Sequence, residues 1–203
     1  YMVQGEGSAN FARTKALAWN EPAAMHRLLD IVTQSVVAYL SAQAAAGADA
    51  LMVFDTWGGL LAPEAFREFS LCYLARVAAS LGASPAARSL PLILFSKGAN
   101  RHLGALADTG CAALGVDWTI DLADARTATD GRVALQGNLD PAVLQASPEV
   151  IRREAARVLD SYGNGSGHVF NLGHGITPDV PPEHVAVLID AVHGYRRSQR
   201  SDG

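Results

Sequence analysis

The chain has 203 residues, 49% of them hydrophobic and 18% charged, which is enough apolar material for the core of one domain and too much for a disordered chain. Sixteen Lys and Arg against twenty Asp and Glu leave a net charge of -4, and Arg196, Arg197 and Arg200 make only a short basic tail, so nucleic acid is not an expected partner. Cys72 and Cys111 stand outside any CxxC or Cys/His cluster, no charged leader precedes an apolar segment, and no run of ~18 apolar residues occurs; the expectation is a cytoplasmic protein with no disulfide framework, no bound metal, no signal peptide and no membrane span.

The chain begins with Tyr1, and Tyr1-Met2-Val3 reads as the tail of a strand, as expected of a segment from the middle of a longer protein. The glycine-rich Gln4-Gly5-Glu6-Gly7-Ser8 follows, with Ser8 placed to cap a helix. This GxG lacks the third glycine and the downstream acid of a dinucleotide fingerprint, so it reads as a loop. From Asn20-Glu21-Pro22, apolar residues recur at helical spacing (Met25, Leu28, Leu29, Val32, Val36, Tyr39, Leu40) as far as Gly47.

Ala50-Leu51-Met52-Val53-Phe54 is a continuous apolar run too short for a buried helix, the pattern of a parallel strand covered on both faces, and it ends in Asp55-Thr56-Trp57-Gly58-Gly59. A helix is predicted from Pro63 to about Gly82. Leu90 to Phe95 is the next strand, ending in Ser96-Lys97-Gly98. A short helix over 101–108 leads to a strand at 112–116 ending in Asp117-Trp118-Thr119. A second short helix, 121–127, leads to Val133-Ala134-Leu135, which ends in Gln136-Gly137-Asn138-Leu139-Asp140. Ser147-Pro148-Glu149 is an N-cap followed by a first-turn proline, and the helix runs to Gly163. His168-Val169-Phe170 then ends in Asn171-Leu172-Gly173-His174-Gly175, and a last helix starts at Pro182.

Five strands alternate with helices and no hairpin joins them, which predicts a parallel sheet, either doubly wound or a barrel. Each strand turns from apolar to Asp, Thr, Lys, Asn or His at its C-terminal end, with glycine close by. In a (β/α)8 barrel that edge carries the chemistry. The predicted fold is therefore an α/β TIM barrel, incomplete here, holding about the last five βα units and a strand stub within a single domain portion spanning 1–203.

Taken residue by residue, these strand ends leave several readings open. Asp55, Asp117 and Asp140 read more readily as loop or helix-cap acceptors than as catalytic acids. Lys97 at a strand end suits a Schiff base, yet the following Gly98-Ala99-Asn100 suits a loop role. Trp57 and Trp118 either stack on a ligand or pack beneath the rim, and His174 alone is ambiguous.

Lined up, the motifs Tyr1-Met2-Val3-Gln4-Gly5, Phe54-Asp55-Thr56-Trp57-Gly58-Gly59, Gly115-Val116-Asp117-Trp118, Leu135-Gln136-Gly137-Asn138-Leu139-Asp140-Pro141 and Asn171-Leu172-Gly173-His174-Gly175 resemble the uroporphyrinogen decarboxylase family in order and spacing over the whole chain. The resemblance implies a cofactor-free (β/α)8 enzyme, usually a homodimer, that removes carbon dioxide from the four acetate arms of uroporphyrinogen to give coproporphyrinogen in haem and chlorophyll biosynthesis. It implies that Tyr1 is the substrate-contacting tyrosine, Thr56 the family's Ser/Thr hydroxyl, His174 the histidine near the substrate's acidic arms, and Phe54 an aromatic lining the cleft. The family's arginines and the aspartate that grips the pyrrole nitrogens match no residue of this chain, so no catalytic residue is assigned.

Two alternatives stay open at this stage. One is a zinc-dependent corrinoid or thiol methyltransferase of the same fold, against which stands the lack of a strand-end cysteine near His174. The other is an inactive fragment with an uncovered sheet edge. A plastid location also stays open beside the cytoplasmic one.

Overall fold

The structure, a computed structural model, describes residues 2–195; Tyr1 and the tail residues Arg196, Arg197 and Arg200 lie outside the described residues. The chain divides into two compact units, Tyr1–Leu114 and Gly115–Gly203.

In the first unit α1 (Ala12–Asn20) and α2 (Pro22–Ala45) precede β1 (Leu51–Asp55), followed by α3 (Pro63–Phe66), α4 (Cys72–Ala83), β2 (Leu92–Ser96), α5 (Leu103–Ala107) and the start of β3 (Ala113–Gly115). Pro22 and Pro63 occupy first-turn positions, where a missing N–H costs nothing. The apolar spacing of α2 buries Met25 and Leu40, and the helix packs on α1 and α4. Met25 joins Ala18, Ala65 and Phe69 in one cluster. By length and composition alone α2 is apolar enough to cross a membrane, a property missed when only unbroken apolar runs are sought, because Arg27 and Asp30 interrupt it.

Three local expectations for this unit are corrected. The stub is not a strand in its described part, because Met2 and Val3 lie in a turn. Buried Gln4 accepts the backbone N–H groups of Arg13 and Thr14 at 3.1 and 3.4 Å, which draws the segment onto the start of α1. Ser8 does accept the Phe11 N–H at 3.1 Å, but the N-cap itself is Phe11, in the left-handed region at φ 53°. The helix predicted over 63–82 is interrupted by a π turn at Arg67–Leu71.

The second unit holds α6 (Leu122–Ala128), β4 (Ala134–Leu139), α7 (Pro148–Tyr162), β5 (His168–Leu172) and α8 (Pro182–Gly194). Along α7 the apolar face Ile151, Ala155, Val158, Leu159 and Tyr162 is buried, and α7 packs on α6 and α8. Ser147 sits at the N-cap of α7 but makes no capping bond. Its hydroxyl serves Glu149 instead: that carboxyl is held below its ordinary range first by its own backbone N–H and then by Ser147.

The strand order is β1-β2-β3-β4-β5. β1 pairs in parallel with β2, Phe54 opposite Phe95 and Asp55 opposite Ser96, and β4 pairs in parallel with β5, Asn138 opposite Asn171. Five strands in sequence order with a helical crossover after each is the construction of a (β/α)8 barrel, of which five strands are described. The expectation that β1 is covered on both faces fails. Phe54 is 66% exposed, and on β5 Val169 is 49% exposed, so one face of each strand is open among the described residues.

Candidate active site

β1 sends alternate side chains to opposite faces, and the register decides what each one meets. Asp55 lies opposite Ser96, whose hydroxyl donates to Asp55 Oδ2 at 2.9 Å; from the π turn Ser70 donates to the same oxygen at 2.6 Å. Phe54, on the opposite face, meets the edge of Phe95 with ring centroids 6.1 Å apart and otherwise faces outward. Asp55 is thus an acceptor that ties the strand end together, as the loop reading expected.

Thr56 leaves the strand half-buried, and no described residue bonds its hydroxyl. Trp57 lies against Phe11, centroids 5.0 Å apart, and the Lys97 ammonium sits 5.8 Å over the indole. That placement suits a packed rim and gives Lys97 an aromatic partner. The turn closes tightly: a Cβ on Gly59 would lie 2.2 Å from the Lys97 carbonyl oxygen, so only glycine fits.

In the second unit, the Asp117 carboxylate is 2% exposed and accepts the Thr119 N–H and hydroxyl at 2.9 and 2.6 Å, an Asx turn that fixes the loop after β3. Asp140 caps the next turn by accepting the Ala142 N–H at 2.9 Å. Asn138, 6% exposed, donates its amide to the carbonyls of Asp117 and Ile120 at 2.9 and 2.6 Å, holding that loop to the end of β4.

Past β5, Gly173 donates its N–H to the Leu139 carbonyl at 2.7 Å, and His174, half-buried, presents its ring to the edge of Trp118 with centroids 6.4 Å apart. His168 is a satisfied structural histidine, bonded to the Gly137 carbonyl at 2.9 Å and stacked on Tyr162.

Of the four residues singled out for substrate contact, Phe54 and Thr56 are adjacent at the end of β1 in the first unit. His174 follows β5 in the second, and Tyr1 lies outside the described residues. Sequence reasoning missed two features. Asn138 is a buried clamp, and its signal was a polar amide inside an apolar strand run. His102 is 7% exposed, stacked on Phe66 at 4.3 Å, and its Nε2 is buried without a hydrogen-bond partner among the described residues. Burial first, and the charges of Arg101 and Arg67 second, hold its pKa below the ordinary histidine value. Among the described residues no group of three or more His, Cys, Asp or Glu is arranged to hold a metal ion.

The sequence profile of uroporphyrinogen decarboxylase, URO-D, matches residues 1–195. A uroporphyrinogen decarboxylase from Cellvibrio japonicus is 54% identical over 203 residues, covering all of this chain and 57% of that protein. One from Xanthomonas euvesicatoria is 57% identical over 202 residues, covering 97% of this chain and 57% of its own length. The chain therefore spans little more than half the length of these relatives. Among solved structures, a methyltransferase from Methanosarcina mazei superimposes with a TM-score of 0.78 at 25% identity, over 90% of this chain and 53% of its own. A profile match over nearly the whole chain leads to one assignment: the chain belongs to the uroporphyrinogen decarboxylase family.

Proposed function

We propose that residues 1–203 are the C-terminal portion of a single (β/α)8 domain that decarboxylates the four acetate arms of uroporphyrinogen without a cofactor, giving coproporphyrinogen. The observation that carries this reading is the family match across 1–195, supported by relatives of that name at 54–57% identity. The zinc methyltransferase alternative has no comparable support, since the likeness to a methyltransferase is in fold at 25% identity.

The chemistry sets what such a site needs. A pyrrole acetate loses carbon dioxide once the ring carbon bearing that arm is protonated, because the ring then takes up the electron pair of the breaking C–C bond. An anion among the inward N–H groups stabilises the developing cation, and cations or hydrogen-bond donors hold the other carboxylates. In this proposal Thr56 and Tyr1 donate hydrogen bonds to the substrate, His174 holds a carboxylate or moves a proton, and Phe54 lines the cleft. The anion and the arginines lie in the part of the relatives that this chain does not match. The exposed Phe54 and the Thr56 hydroxyl, which no described residue bonds, at adjacent rim positions support that division of labour. We further propose a homodimer of the full-length protein and, from the two free cysteines, a reducing cytoplasm.

The test is anaerobic incubation of the full-length protein with uroporphyrinogen, where coproporphyrinogen is the expected product and its absence refutes the reading. His174→Asn is expected to slow turnover with an unchanged melting temperature; an unaltered rate returns His174 to a structural role. The 203-residue polypeptide alone is expected to be inactive, and robust turnover by it would refute the assignment of the anion to residues beyond it.

A further inference from the structure

We propose that Asp55 is a positioning residue that fixes where Thr56 presents its hydroxyl, an inference that rests on the decarboxylase reading. The argument starts from register. Asp55 pairs with Ser96 across β1 and β2, so both point to the face that the π turn of Arg67–Leu71 covers. Ser70 sits inside that turn, and a π turn carries one extra residue, a rotation of about 100° for the side chains beyond it. Both hydroxyls reach one carboxylate oxygen, at 2.6 and 2.9 Å. Two separate segments, β2 and the π turn, therefore converge on Oδ2 of the residue immediately before Thr56.

The far side of Thr56 is fixed by close approach. A Cβ on Gly58 would lie 1.9 Å from that same Asp55 oxygen and 2.8 Å from Ser96 Oγ, so the turn after Thr56 folds directly back over the carboxylate. Gly59 rests on the backbone of Lys97 and Gly98. Thr56 is thus held between Asp55, anchored on β2 and the π turn, and Gly58, seated on Asp55. Its own hydroxyl takes no part in this network. A carboxylate used only to bind the next helix would not need the following loop to close on it. Here the loop that carries the substrate-side hydroxyl takes its position from it.

A positioning role predicts coupling, since moving the Thr56 hydroxyl matters only while the hydroxyl is there. In the full-length enzyme, kcat, KM and melting temperature are measured for wild type, Asp55→Ala, Asp55→Asn, Thr56→Ala and the two Asp55 variants combined with Thr56→Ala. Asp55→Ala is expected to lower kcat roughly 10- to 100-fold, the scale of an ångström-sized misplacement. Asp55→Asn keeps an oxygen that accepts both serine hydroxyls, and it is expected to recover kcat to within about threefold of wild type. In the Thr56→Ala background neither change is expected to cost anything further.

Equal fold-losses in both backgrounds, or failure of the asparagine to restore kcat in a folded protein, overturn the inference. Should Asp55→Ala not fold, Ser96→Ala removes one of the two donors and carries the same comparison: a loss seen only with Thr56 present supports the role, and an equal loss without it overturns it. An inactive wild-type protein overturns the decarboxylase reading and this inference together, whereas an active wild type with additive losses overturns this inference alone.

Discussion

Gly173→Ala offers a severe test of how the last strand end is built. A methyl at this position would stand 2.6 Å from the Trp118 backbone nitrogen and 3.1 Å from its Cε3, whereas ordinary contacts begin near 3.4 Å. The strand end or the Trp118 loop must therefore yield by about 0.8 Å, the difference between 3.4 and 2.6 Å. The first obstacle is backbone, which cannot rotate aside as the tip of a flexible side chain would. Overpacking of this kind costs about 1–3 kcal/mol. Removing a glycine from the unfolded chain returns about 0.4–1 kcal/mol, leaving a net loss of roughly 1–2 kcal/mol. Gly175→Ala is the control, because nothing lies within 4 Å of its Cβ and only the entropic gain applies. Urea unfolding of the full-length protein measures both, with a lower midpoint and unchanged slope expected for Gly173→Ala alone. Since His174 follows directly and its ring meets Trp118, turnover is also expected to fall for this variant. Equal stability and activity of the two alanine variants would refute the packing argument.

Other expectations follow from the buried polar groups. Burial, and then the charges of Arg101 and Arg67, lower the folded pKa of His102 below the unfolded value of about 6.5, so the unfolded chain binds more protons as the pH falls. Its contribution is therefore complete above about pH 6.5 and is lost as the pH falls below that toward the folded value. His102→Phe keeps the stack on Phe66 and is expected to flatten this limb in unfolding measured between pH 7 and 5; an unchanged slope refutes the assignment. Asn138→Ala removes both donors to the loop after β3, with an expected loss of about 1–3 kcal/mol by urea unfolding, and a neutral result would show that the clamp is dispensable. Ile151→Ala, at a fully buried position on α7, is expected to cost about 2–5 kcal/mol by the same assay.

The alternation of strands and helices was legible because its signals are local. Apolar runs of strand length, prolines in first helical turns and a glycine after α7 each state their meaning within a few residues. Phe54, Thr56 and His174 were singled out through the family motifs, and the structure sets Phe54 in β1, Thr56 just past it and His174 just past β5. What the sequence hid were consequences of register and neighbours. Nothing in Ser70 or Ser96 says that both will bond one oxygen of Asp55, because that depends on β1 pairing with β2 in one alignment and on a π turn that helical periodicity smooths over. Likewise the Ser147-Pro148-Glu149 signature is a standard helix start, yet the hydroxyl chose the Glu149 carboxylate over a helix N–H. Open faces at Phe54 and Val169 were also out of reach, since an apolar run predicts burial and cannot state which side its cover comes from.

The pairing of Trp118 with His174 has an optical consequence. Indole emission is quenched by a neighbouring imidazolium and responds to polarity, and this ring lies edge-on to the one histidine assigned to the rim. Trp19 is exposed on α1 and Trp57 sits beside Lys97, so with both replaced by phenylalanine Trp118 is the one indole left among these 203 residues, and its emission reports on the strand end it touches. The strand end after β5 thus carries its own fluorescent gauge.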